Sequence, residues 1–159
     1  MKTKHDTVYK VFHEIDEKLY SFNSFWILRT WKVPLHTIKK WRQALLRHGQ
    51  IRLYSPDKWH FFRTKQKGFS FSEKERALAY AKWVRVRTIG MESIYGELVT
   101  WECKAITCAP NDVFLLPHIA QRGFNVVLRD ILLLSTRPPL GSVGVKSLKL
   151  VKKNILTYK

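Results

Sequence analysis

Acidic residues are scarce in this chain, and the shortage is uneven. Only 12 Asp and Glu stand against 29 Lys and Arg in 159 residues, a formal net charge of +17. Between Glu17 and Asp57 there is no acid at all, while Lys18, Arg29, Lys32, Lys39, Lys40, Arg42, Arg47 and Arg52 fall in that interval. Beyond Asp130 there is again none, and Arg137, Lys146, Lys149, Lys152, Lys153 and Lys159 follow. Cysteine is nearly absent. Cys103 and Cys108 are the two present, too few for the disulfide framework of a small secreted domain and suited to a reducing compartment. No apolar run approaches the roughly 20 residues of a membrane-spanning helix. The polar, charged stretch from Met1 to Lys10 has neither the apolar core nor the small-residue cleavage site of a secretory signal. These absences predict a soluble protein that is not secreted and has no membrane partner, cytoplasmic or carried within a virion or ribonucleoprotein particle.

Glycine and proline are also few, seven and six, whereas apolar residues make up 45% of the chain and include nine Phe, six Trp and six Tyr. A disordered polycation is poor in such side chains. The positive charge is therefore mounted on a packed domain, and like charge at this density repels itself unless a polyanion lies nearby.

Local patterning predicts strands at Val8 to Ile15 and Lys18 to Phe25, rich in aromatic and β-branched residues and joined by a turn at Asp16-Glu17. A third strand is expected from Phe25 to Val33, ended by Pro34. Pro34 to His48 reads as a helix, with proline in its first turn, Gly49 after its end, and Leu35, Ile38, Trp41, Leu45 and Leu46 on one face. Gln50 to Tyr54 and Lys58 to Arg63 read as a hairpin turning at Ser55-Pro56-Asp57. Gly68 to Phe71 suits a short strand, and Ser72 with Glu75 forms a capping box that opens a helix running to about Arg85. Ser93 to Ile106 reads as a strand broken or bulged near Gly96. Asn111 to Ala120 is ambiguous, and the apolar run Phe124 to Leu134 fits a central strand or a buried helix equally. Val143 to Leu156 fits a final strand pair or an extended arm. The expected fold is α+β: a mainly antiparallel sheet with two or three helices in a compact domain over 1–136, and a basic C-terminal extension over 137–159.

Three segments carry candidate function. The helix at 34–48 followed by a basic hairpin resembles the recognition helix and wing of a winged helix-turn-helix domain, which implies that Thr37, Lys40, Gln43 and Arg47, with Lys39 beside them, face a groove. The same order fits a helix packed on a sheet with a solvated charged face, and the residues ahead of it read as strands rather than the two further helices a winged helix needs. The hairpin mixes cations with aromatics at Arg52, Lys58, Trp59, His60, Arg63, Lys65 and Lys67, as β-surfaces that stack bases and meet phosphates do. Strand alternation puts Trp59 and Phe61 on one face and Lys58, His60 and Phe62 on the other, so one set is core. The acid-free run with Lys146, Lys149, Lys152 and Lys153 suits contact with a phosphate backbone.

Catalytic and metal signatures are weak. The Cys103–Cys108 spacing has no second ligand pair, and Cys103 reads as a small buried hydrophobe. The six histidines (His5, His13, His36, His48, His60, His118) are scattered in sequence. Gly141 and Gly144 form a G-x-x-G without the flanking helices of a KH domain, so a turn is expected. No cofactor and no metal are expected. The chain reads as a basic protein that binds RNA or DNA through phosphate contacts. The alternatives are an interaction protein with an acidic protein partner, and a small nucleotide-acting enzyme whose site is not visible in sequence.

Overall fold

The computed structural model describes residues 4–22, 24–26, 36, 39–40, 43, 46–47, 51–62, 68–87, 96–109, 113–116, 135–136 and 141–154. Its centre is three long strands. β1 (Asp6–Ile15) leads through a tight turn into β2 (Lys18–Phe22), with Ile15 paired to Lys18. Asp16 and Glu17 both take positive φ, 50° and 64°, the primed turn whose twist matches a hairpin. β3 (Ser24–Trp26), β4 (Ile51–Tyr54), β5 (Trp59–Phe61) and β6 (Gly68–Phe71) precede the helix α1 (Lys74–Arg87). β7 (Glu97–Cys108), β8 (Val113–Leu116), β9 (Ser135–Thr136) and β10 (Ser142–Asn154) follow.

β7 lies between β1 and β10, antiparallel to both. The far edges of β1 and β10 are joined by β6, which pairs Phe71 with Tyr9 on one side and Gly68–Phe71 with Val145–Ser142 on the other. The circuit β1–β7–β10–β6 closes on itself, which is the topology of a barrel. β2 and then β4 continue from the other end of β1, and β5 pairs with β10 at Ser147–Lys149. β10 carries two bulges, at Lys146 and at Val151, each an extra residue relative to β7; bulges of this kind bend a strand and let a small sheet close. A separate small sheet, β3–β8–β9, pairs β3 parallel to β8.

Directly paired residues share a face, so the registers sort the side chains. Val8, Phe12, Leu19, Tyr54, Val99, Cys103, Ala105, Val145, Leu148 and Leu150 point inward and form the buried core. On the opposite face of β1 and β6, α1 supplies a second layer: Ala77, Ala81 and Val84 are buried, and Tyr80 lies 5.5 Å from the ring of Phe71. The spacing of these residues, four and then three, is one helical stripe. The Glu73 carbonyl accepts the amide of Ala77 at 3.3 Å, so the helix starts just beyond the Ser72 expected to cap it.

The expectation of two or three helices is corrected by this fold: among the described residues α1 is the one continuous helix, and antiparallel sheet dominates. Long alternating segments that find partners on both edges satisfy their backbone as strands, and three such segments set the architecture. Within the helix expected at Pro34 to His48, His36, Lys39, Lys40, Gln43, Leu46 and Arg47 are described and helical; its other residues lie outside the described set. Lys18 to Phe25 is not one strand but β2 and β3, which belong to different sheets. Residues 27–33 and the run Phe124 to Leu134 fall outside the described residues. β4 and β5 do not pair as a hairpin, since β4 ladders with β2 and β5 with β10. The segment expected as a strand pair or an arm is the single strand β10, laddered to β7 from Gly144 to Asn154.

Candidate nucleic-acid interface

The outward face of β7, β10 and β5 brings cations and aromatics into register. Thr7 of β1 pairs with Lys104 of β7, Lys104 with Lys149 of β10, and Lys149 with Trp59 of β5. These four side chains form one row across four strands. The next row along β10 is Ile106, Ser147 and Phe61. Phe61 is 70% exposed, and the bulge beside it presents Lys146 to solvent. Lys104 opposite Lys149 is a like-charge cross-strand pair, which disfavours the fold by roughly 0.2–1 kcal/mol. A pair of this kind is relieved when an anion lies across it.

Trp59 is half-buried because His5 packs on it, ring centroids 4.7 Å apart. Lys58 sits exposed in the preceding turn, next to Asp57, whose φ is 67°. Lys152 is exposed and pairs in register with Glu102. Lys153 of β10 forms an ion pair with Glu14 of β1 at 3.0 Å. An exposed pair of this sort contributes little stability, but it offsets one of the four lysines expected to act together.

Other expected residues are elsewhere. Arg52 is partly exposed: its guanidinium lies 4.2 Å from the ring centre of Phe62 and donates to the Phe61 carbonyl at 2.6 Å in an exposed contact. His60 faces the interior, 4.9 Å from the ring of Tyr54, and its Nε2 lies 3.2 Å from the Ser55 amide and 3.0 Å from the Ser55 carbonyl oxygen. The two contacts require different tautomers, acceptor for one and donor for the other. Both residues serve the packing between β4 and β5, not the outer face. Lys39, Lys40, Gln43 and Arg47 are exposed on helical backbone. Thr37, Arg63, Lys65 and Lys67 lie outside the described residues. Gly141 is a turn residue as expected, whereas Gly144 is inside β10.

Lys104 and His5 were missed by sequence reasoning. Lys104 is flanked by Cys103 and Ala105, both fully buried; a charged residue between two small apolar ones in a strand is the pattern of an outward position. His5 gave no comparable signal, because its contact with Trp59 depends on how β1 and β5 are placed.

Among the described residues no group of three or more His, Cys, Asp or Glu could hold a metal ion, and no helix is long and apolar enough to cross a membrane. Burial pushes the Cys103 thiol up to about 12, with Glu102 adding to the effect and Lys10 opposing it, so this thiol is a poor nucleophile at neutral pH. The chain matches no known protein family, no curated protein and no solved structure.

Proposed function

We propose that this protein binds single-stranded nucleic acid, RNA or DNA, on the outer face of β7, β10 and β5. The observation that carries the reading is the row Lys104–Lys149–Trp59 with the exposed Phe61 one step along the same strand face. Residues two apart on a strand are about 6.6 Å apart. That spacing suits bases spread along an extended strand, one on each aromatic ring, and not the closer stack of a duplex. Lys104, Lys146 and Lys149 are placed to meet phosphates beside those rings, and the net charge of +17 supplies long-range attraction. An acidic protein partner would use the lysines but has no need of exposed aromatics beside them.

Fluorescence anisotropy with labelled single-stranded oligonucleotides and with duplexes of equal length tests this. Single strands bind more tightly, and affinity falls steeply as salt rises. Lys104→Ala with Lys149→Ala weakens binding about tenfold and flattens the log–log salt slope by about 1.4, or 0.7 for each phosphate no longer neutralised. Trp59→Ala costs about 1–3 kcal/mol of affinity with the slope almost unchanged. Absence of binding at about 50 mM salt, or equal affinity for duplex and single strand, rejects the proposal.

A further inference from the structure

One basic stripe lies on helix rather than strand. The sequence from Pro34 to His48 contains no acid, and helical spacing sets its apolar residues Ile38, Trp41 and Leu45 on one side. Every described residue from His36 to Arg47 takes helical backbone, and His36, Lys39, Lys40, Gln43 and Arg47 are all exposed. At about 100° per residue these five fall within roughly 100° of arc, opposite the apolar side. Leu46, half-buried, lies at the edge of that arc beside Lys39. Burial and sequence pattern thus agree on one polar face, roughly 16 Å long at about 1.5 Å per residue.

The stripe has an internal order. Lys39 and Lys40 fall at its two margins, while His36, Gln43 and Arg47 fall along its middle. Among the described residues neither lysine nor Arg47 is ion-paired. A helix seated in the major groove of duplex DNA uses this order. The groove is about 12 Å wide and admits a helix of about 10–12 Å diameter. Ammonium groups at the margins reach phosphates on both walls, and these contacts position the helix. In the middle, a guanidinium can donate twice to a guanine edge, and a carboxamide can donate to and accept from an adenine. The stripe spans roughly five base-pair steps at about 3.4 Å each. The major groove of an RNA duplex is deep and narrow and gives a helix no such seat. An acidic polypeptide would use the cations but has no need of glutamine and arginine between two lysines.

We propose that the helical segment from His36 to Arg47 is a second nucleic-acid site, one that seats in the major groove of double-stranded DNA. It is distinct from the strand face and stands on its own exposed stripe, whether or not that face takes a single strand. Anisotropy titrations of the whole protein test it, with a DNA duplex, an RNA duplex and single-stranded DNA of equal length. The variants are Lys39→Ala/Lys40→Ala and Lys104→Ala/Lys149→Ala. Alanine at exposed helical positions preserves the fold, which an unchanged Tm verifies. Lys39→Ala/Lys40→Ala should lose about tenfold in affinity for duplex DNA, with the log–log salt slope flatter by about 1.8, or 0.9 for each phosphate contact. Its affinity for the single strand should be unchanged. Lys104→Ala/Lys149→Ala should do the reverse. Gln43→Ala should leave the salt slope alone and narrow the spread of affinities among duplexes of different sequence. The helix site is overturned if Lys39→Ala/Lys40→Ala binds duplex DNA as the wild type does, or loses duplex and single strand alike, which marks a general effect of net charge. It is also overturned if the RNA duplex binds as tightly as the DNA duplex, or if polyglutamate displaces duplex DNA as well as unlabelled duplex does. Duplex binding decides the helix, and single-strand binding by Lys104→Ala/Lys149→Ala decides the strand face.

Discussion

Replacing Gly96 by alanine is expected to destabilise the protein by more than about 4 kcal/mol, in the range reserved for substitutions that break a specific structural requirement. Gly96 has φ +63° and directly precedes β7. A Cβ there would fall on the backbone oxygen of Glu14 and within 2.6 Å of the Ile15 Cγ1. Neither obstacle can step aside. Glu14 is held by Glu97 on one edge and by Leu19 on the other, and Ile15 is buried. The clash therefore separates the start of β7 from β1, the ladder on which the barrel closes. Gly141 is the control. Its φ is +78°, but its Cβ would meet the side chain of Arg76, which is half-exposed and can swing away. Gly141→Ala should cost about 1–2 kcal/mol, the strain of a left-handed backbone alone. Urea denaturation midpoints compare the two. If Gly96→Ala falls within about 1 kcal/mol of Gly141→Ala, the close approach of β1 to residue 96 is not as described.

Gly96 also shows what was legible in the sequence. A break near it was visible, because glycine inside a strand pattern marks a bulge or a close approach; which backbone it approached was not. The Asp16-Glu17 turn and the α1 segment were legible because each is set by residues adjacent in the chain. The pairing of β4 and β5 was misread for the opposite reason. Ser55-Pro56-Asp57 is good turn chemistry, but a turn fixes a hairpin only when the flanking strands prefer each other. Here β2 and β10 compete for them and win. β10 was read as an arm or a strand pair because its lysines interrupt the alternation; the two bulges let Lys146 and Lys152 face solvent while Val145, Leu148 and Leu150 stay buried. The candidate interface was half legible. Strand alternation coupled Trp59 with Phe61, and only the registers decided that this pair faces outward and that His60 faces the core. Arg52 was grouped with the hairpin cations because charge suggests solvent; its guanidinium, still partly exposed, lies over the Phe62 ring. Lys10 drew no notice for the same reason.

Lys10→Met is expected to stabilise the protein at pH 7. Lys10 is 3% exposed on the inward face of β1, between Val8 and Phe12. Burial pulls its ammonium down from 10.5 to about 8, with Cys103 opposing and Arg52 adding repulsion. The sign follows from linkage. The folded state binds the lysine proton less tightly than the unfolded chain does, so stability is penalised in full below about pH 8. The penalty is relieved as pH rises from 8 toward 10.5, where the unfolded chain also loses the proton. The shift corresponds to about 3 kcal/mol at neutral pH. Methionine has a similar unbranched shape and no charge to desolvate, so the variant should recover most of this, a rise of roughly 6–12 °C in Tm for a domain of this size. The difference between variant and wild type should then shrink through pH 8 to 10.5. Cys103 acts in the opposite direction above pH 9, because its folded value is raised to about 12; Lys10 opposes that rise, so the comparison isolates Lys10 between pH 7 and 9. Equal stability of the two proteins at pH 7 would mean that Lys10 keeps its charge at no cost, and that the contacts of its ammonium offset its burial.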